Sequence, residues 1–199
     1  MGAFSKLVKA IFFIIAAMFT SLLILCPILQ PRDMINDLTG VVGIIDNYSV
    51  ISKLSFPCQQ VYLFGDIWCH QMRERTIFIN GNQMAVCARC FGLFIGISIG
   101  IILSIVREIN IDKNVHKRVL GAVFIGYTPL IIDYFCNLIG FWNSINLVRL
   151  ITGAVAGSSS GMILGALIDV ISFYISVRRG KIGDFNPLST TSRRHKLSS

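Results

Sequence analysis

Four long apolar runs, separated by polar stretches, dominate the chain. They cover about residues 7–29, 88–106, 119–139 and 147–177. Each reaches the roughly 20 residues that a helix needs to cross a bilayer. Backbone groups in lipid have no water to bond, so such runs must form helices. The fourth is too long for one straight span and is expected to tilt or to extend beyond the lipid. The stretch between the first and second runs is too long for a plain connection. Within it, residues 41–54 are weakly amphipathic, broken by Asp46, Asn47 and Tyr48, and predict a helix lying on the interface or dipping into protein. Residues 61–68 are rich in aromatics, and Tyr62, Phe64 and Trp68 suit the headgroup level. Gly81 and Asn82 mark a turn after the apolar patch at 77–79.

The pattern predicts an all-α integral membrane protein with four transmembrane helices and an outer loop region. It divides the chain into an N-terminal anchor (1–29), an extracytoplasmic segment (30–87), a three-helix core (88–177) and a basic cytoplasmic tail (178–199). The first run has the basic start of a signal peptide in Lys6 and Lys9, but its apolar stretch is too long and no small-residue cleavage site follows. Leu25 before Cys26 does not suit a lipoprotein signal, and Lys6 stands where myristoylation wants Ser or Thr. An uncleaved anchor is expected.

Composition agrees with this reading. The 199 residues are 54% hydrophobic and 14% charged, and the mean hydropathy is +0.70. Soluble domains run near 45–50% apolar and about 25% charged. A soluble globule of this size has too much surface to hide so much apolar side chain, and disorder requires low hydrophobicity. The net charge of +8 raises the question of nucleic acid, which the placement of the charges answers. The N-terminus, the loop between the second and third runs and the tail together carry +9, residues 30–89 sum to zero, and Arg149, Asp133 and Asp169 within the membrane contribute −1. Positive charge near span ends stays cytoplasmic. Both termini are therefore expected in the cytoplasm of a multi-pass cell-membrane protein. Membrane lipids are the expected partners and nucleic acid is not; anionic headgroups suit the basic tail. Self-association into a homo-oligomer is left open.

Glycines recur every fourth residue in two runs. The second has Gly92, Gly96 and Gly100, and the fourth has Gly153, Gly157, Gly161 and Gly165. Such stripes let helix backbones approach closely in lipid, so the second and fourth spans are expected to pack together.

The chemistry concentrates in six cysteines and their neighbours. Cys26 and Cys136 fall in spans and read as inert packing residues. Cys87 and Cys90 form C-x-x-C at the start of the second span, with Cys58, Cys69 and His70 upstream. Three readings stay open. Cys87 and Cys90, with two of Cys58, Cys69 and His70, suit a tetrahedral zinc site, although adjacent Cys69 and His70 bind one ion only if the backbone bends sharply. A C-x-x-C at a helix N-terminus, with Arg89 inside it, also suits thiol redox chemistry with a quinone, by analogy with small four-helix membrane thiol oxidases. The third reading is a structural disulfide pinning the outer loop.

Ionisable residues inside lipid are functional candidates by default. Asp133 and Arg149 fall on the outer halves of their spans and are expected to meet as an ion pair, with Asn143, Ser144 and Asn146 at the same mouth. Asp169 is expected to snorkel or cap near the inner interface. Arg75 lies in the charged stretch after His70, where it is either solvated or part of an anion site.

Together, Cys69-His70-Gln71, Glu74-Arg75 and Cys87-Ala88-Arg89-Cys90-x-Gly92 resemble domain-of-unknown-function family 2085 of small, largely archaeal membrane proteins. Pro129, Asp133, Ser144, Asn146, Arg149, Thr152, Gly153 and Gly157 extend the resemblance over about residues 69–165. Phe94 stands where the family often has Tyr, and Tyr134 follows the aspartate where glycine is usual. The resemblance implies one shared site of Cys, His, Arg and Asp positions and supplies no activity. The working expectation is an outward-facing zinc site of Cys69, His70, Cys87 and Cys90. If the protein is an enzyme, it acts on a lipid-linked or thiol substrate, with Arg75 and Arg149 holding an anion and Asp133 as base or counter-ion. If not, the site staples a structural or partner-binding module.

Overall fold

The computed structural model describes residues 3–38, 40–107 and 115–178. The expectations for the 108–114 loop charges and for the tail beyond Arg178 lie outside the described residues. Among the described residues, six α-helices form: α1 (Ala3–Leu29), α2 (Tyr48–Ile51), α3 (Cys58–Trp68), α4 (Ala88–Val106), α5 (Val115–Leu138) and α6 (Asn146–Arg178). Four of them carry stretches long and apolar enough to span a membrane: Phe4–Leu29, Ala88–Val106, Lys117–Leu138 and Asn146–Arg178. Their outward faces carry many exposed large apolar side chains, as a lipid-facing surface requires.

The fold is not purely helical. Strands β1 (Thr76–Ile79) and β2 (Asn82–Cys87) pair antiparallel, Ile79 opposite Asn82 and Thr76 opposite Cys87. The turn between them is Asn80-Gly81, with φ of 55° and 75°. Two successive positive φ values make a type I′ turn, which Asn-Gly favours. The pattern of residues 82–86 hides this strand because both faces are covered: Asn82 through Val86 are all buried.

Buried amides hold the small cap around β2. The Gln83 side chain accepts from Leu38 N at 3.1 Å and donates to Leu38 O at 3.0 Å and to the Gln71 carbonyl. Gln71 Nε2 donates to Ala85 O at 2.7 Å. Asn82 Nδ2 reaches Pro27 O (3.0 Å) and Pro31 O (2.9 Å), and Asn80 Nδ2 reaches Gln30 O at 3.1 Å. These last bonds satisfy carbonyls that the end of α1 leaves without helical partners.

Two expectations for this segment are corrected. Residues 41–54 form only the short α2, because Asp46 and Asn47 bind locally: Asp46 accepts from Val41 N, and buried Asp66 accepts from Asn47 N. Tyr62 is not at the headgroup level. It is fully buried, donates to Gln83 O at 2.7 Å, and burial pushes its phenol above the ordinary value. Trp68 is exposed and stacks on Phe64.

Cys26 is not an inert packing residue. It forms a disulfide with Cys58, tying the end of α1 to the start of α3. Cys58 is thereby removed from any ligand set.

The glycine stripes meet as expected, and α4 and α6 run parallel. A Cβ built on Gly92, Gly96 or Gly100 would lie 2.1 Å from the carbonyl oxygen of Leu150, Ala154 or Ser158. In return, Cβ atoms on Gly153 and Gly157 would strike Arg89 O (2.2 Å) and Leu93 O (2.1 Å). α5 leans on α6 at Gly126 and Ser159, and the Tyr127 and Ser160 hydroxyls bond at 2.7 Å.

At the far end of this pair, Asp169 does not snorkel. It is buried, ion-pairs with Lys9 of α1 at 2.7 Å and accepts from Ser5 Oγ at 2.5 Å. Lys9 Nζ also donates to Ser104 O at 2.9 Å, in the last turns of α4.

Candidate metal centre

Three sulfurs converge where β2 enters α4. Cys69 caps the C-terminus of α3 in extended conformation, Cys87 is the N-cap of α4, and Cys90 lies in its first turn. Their Sγ atoms all lie within 4.8 Å of one another. The Cys87 backbone N–H donates to Cys69 Sγ at 3.3 Å, which fixes the crossing of the two segments. Cys69 is buried, whereas Cys87 and Cys90 are partly exposed; all three are free thiols.

The surroundings favour thiolate at Cys87. Hydrogen bonds from the Cys69 and Cys90 thiols, and then from the Cys90 and Arg89 backbone N–H groups, hold the Cys87 thiol far below its ordinary value against the opposing effect of burial. The Cys69 thiol is pushed up, chiefly by its bond to Cys87. A helix N-terminus lowers a thiol further through its dipole.

Tetrahedral zinc binds thiolate at about 2.3 Å, which sets the sulfurs about 3.8 Å apart. The three sulfurs, all within 4.8 Å of one another, lie near that spacing. Among the described residues, the group contains these three ligands.

His70 is not brought into the centre. The extended backbone at Cys69 sends the next side chain the other way, and exposed His70 places Nδ1 3.0 Å from Gly40 O. The bend that a shared ion would need does exist, at Gln71 with φ 49°, but it comes one residue too late.

The expected Asp133–Arg149 pair is also corrected. Asp133 of α5 pairs with Arg89 of α4, whose backbone abuts Gly153 of α6. Buried Arg149 donates instead to Asn146 Oδ1 (3.3 Å) and Glu74 O (3.4 Å). Ser144 stands beside Asp133 as expected of the mouth, and Asn146 Nδ2 donates to Thr76 O at 3.2 Å. Arg75 is partly buried, with its Nε enclosed and lacking an acceptor.

A family model described as predicted membrane protein (DUF2085) matches residues 69–163. The uncharacterized protein MJ1492 of Methanocaldococcus jannaschii is 39% identical over 97 residues, which are 49% of this chain and 61% of that protein. An uncharacterized protein of Methanothermobacter thermautotrophicus is 32% identical over 89 residues, 45% of this chain and 77% of that protein. The chain belongs to the DUF2085 family. No solved structure matches it.

The DUF2085 segment takes in Cys69, Arg75, Cys87, Arg89, Cys90, Asp133 and Arg149. The disulfide, α1 and Asp66 lie before it. Sequence reasoning named Gln71 only as part of the Cys69-His70-Gln71 motif and passed over Asp66. Their signal is weak, since each is a single polar residue whose role comes from burial in the cap.

Proposed function

We propose that this DUF2085 protein is a membrane metalloprotein in which Cys69, Cys87 and Cys90 hold one zinc ion at a membrane face. The observation that carries the reading is three free sulfurs within 4.8 Å, supplied by two segments that the cap holds together. The one disulfide found among the described residues lies elsewhere, between Cys26 and Cys58, so loop pinning does not require these thiols. Three protein ligands, which would leave the fourth position to water or substrate, match catalytic rather than structural zinc sites. Bound zinc would supply an acidic water or polarise a substrate oxygen there. Asp133, tied to Arg89, acts as a counter-ion that orients that guanidinium. A fourth position near the lipid boundary suits a lipid-linked substrate. The placement of positive charge supports both termini in the cytoplasm and the cap at the outer leaflet.

Metal analysis of the purified full chain, run beside thiol counting, tests the metal reading. One equivalent of zinc is expected, with three thiols that become alkylatable only after chelation. Cys87→Ser is expected to lose the ion. A second reading, thiol–disulfide exchange with a quinone, is favoured by the depressed Cys87 thiol. Absence of metal together with an exchangeable disulfide inside the cluster overturns zinc in its favour. A reporter that works only in the cytoplasm, fused after the tail, is expected to be active; an inactive fusion overturns the orientation.

A further inference from the structure

The zinc reading leaves the arginines beside the thiols without a ligand. Arg75, Arg89 and Arg149 come from the 3₁₀ turn before β1, from α4 and from α6. The first turn of α6 grips both carbonyls that flank Arg75: Arg149 bonds Glu74 O and Asn146 bonds Thr76 O. One turn on, Gly153 abuts the backbone of Arg89. Arg75, Arg89, Asp133 and Cys87 are the electrostatic neighbours of Arg149.

Three features of this group are costly as it stands. Asp133 is the one carboxylate among these neighbours and is paired with Arg89, and the other anionic neighbour, the Cys87 thiolate, is bonded within the thiol centre, so two guanidinium groups have no carboxylate partner. Arg149 is only 6% exposed, and its bonds at 3.3 and 3.4 Å go to neutral oxygens. The Nε atoms of Arg75 and Arg89 are enclosed with no acceptor. Buried charge without a partner is strongly unfavourable. The helices add to the deficit. α4 and α6 are parallel and both begin here, with no acidic residue in either first turn. Their positive ends point at a site that is already cationic.

An anion supplies acceptors to the guanidinium groups and the helix N-termini together, while the enclosed Asp133 Oδ1, an acceptor, lies outside what it satisfies. Helix N-termini and guanidinium forks are the two commonest ways proteins bind phosphate. Three guanidinium groups arriving from three elements suit a tetrahedral oxyanion with at least three oxygens better than a two-oxygen carboxylate. We infer that Arg75, Arg89 and Arg149, at the joint N-termini of α4 and α6, form a subsite for a phosphate group beside the thiol centre. Its catalytic sense rests on the zinc reading; phosphate binding itself does not. The phosphate belongs to a lipid headgroup or to a soluble ligand.

The test uses the full chain in phosphatidylcholine nanodiscs, with zinc content measured on every sample. Inorganic phosphate is expected to raise the unfolding midpoint, and sodium acetate at matched ionic strength is not. Arg75→Gln and Arg149→Lys are each expected to weaken phosphate binding about tenfold while keeping their zinc. If inorganic phosphate is silent but nanodiscs doped with phosphatidic acid stabilise the wild type and not Arg75→Gln, the ligand is a lipid headgroup and the subsite stands. If neither probe gives an effect sensitive to Arg75→Gln, the inference is overturned, whatever the zinc content. Phosphate binding without zinc overturns the metal reading alone.

Discussion

The two ends of the α4–α6 pair handle buried charge in opposite ways. At one end, Lys9 and Asp169 form a closed set: the ammonium has two acceptors, and both carboxylate oxygens have donors. Lys9 also sits over a carbonyl in the last turns of α4, where a cation complements the helix dipole. At the other end, three arginines crowd two helix N-termini with one carboxylate between them, and the Nε donors of Arg75 and Arg89 and the Oδ1 acceptor of Asp133 are left over. A buried polar group with all its bonds made is a fastener. One with bonds to spare, in the same low-dielectric setting, is a receptor. The contrast separates scaffold from site without recourse to the identity of any ligand.

Mutation can break the contrast. Lys9→Met strands a buried carboxylate and is expected to cost about 3–5 kcal/mol. Adding Asp169→Leu is expected to recover most of that loss, read by denaturant unfolding in detergent. Failure of the double variant to recover would mean that Lys9 does more than close the set. Replacing both Cys26 and Cys58 by Ala is expected to cost about 3–4 kcal/mol, from freeing a loop with sequence separation 32. Bound zinc should be unchanged, since this bond fastens the cap without joining the centre. Gly157→Leu drives a side chain into Leu93 O and is expected to cost about 1–3 kcal/mol. It should lower thermal stability and zinc retention together, because both ends depend on the same helix contact. Arg75→Gln should move stability by less than about 0.5 kcal/mol without phosphate. An equally large loss at Arg75 and at Lys9 would erase the distinction between receptor and fastener.

What could be read from the sequence follows from the range of each signal. The spans, the glycine contact and the turn are local or periodic; the first two appear as expected, and the turn expected at Gly81 and Asn82 falls one residue earlier, at Asn80-Gly81, with Asn82 already in β2. The C-x-x-C pair with Cys69 was legible because Cys87 and Cys90 share one helical turn. Pairings between distant segments were not. Cys26 with Cys58, Lys9 with Asp169 and Arg89 with Asp133 each depend on the rotation of one helix about its axis relative to another. Hydropathy does not encode that rotation in lipid, where apolar faces point both outward and inward. β2 was missed for a related reason: a strand covered on both sides loses the alternation that reveals it.

Helix α1 has a use that its hydrophobicity does not suggest. Its 27 residues extend about 40 Å, somewhat more than the roughly 30 Å hydrocarbon slab. Near its start it is pinned by Ser5 and Lys9, and at its end by Cys26 and the amides of Asn80 and Asn82. A rod fixed at both ends can neither slide nor turn, so it acts as a ruler. It sets the depth of the thiols and arginines relative to the lipid surface. In a thicker or thinner bilayer, the mismatch would be passed along α1 to the cap and felt there as a change in how far a lipid headgroup must rise to reach it.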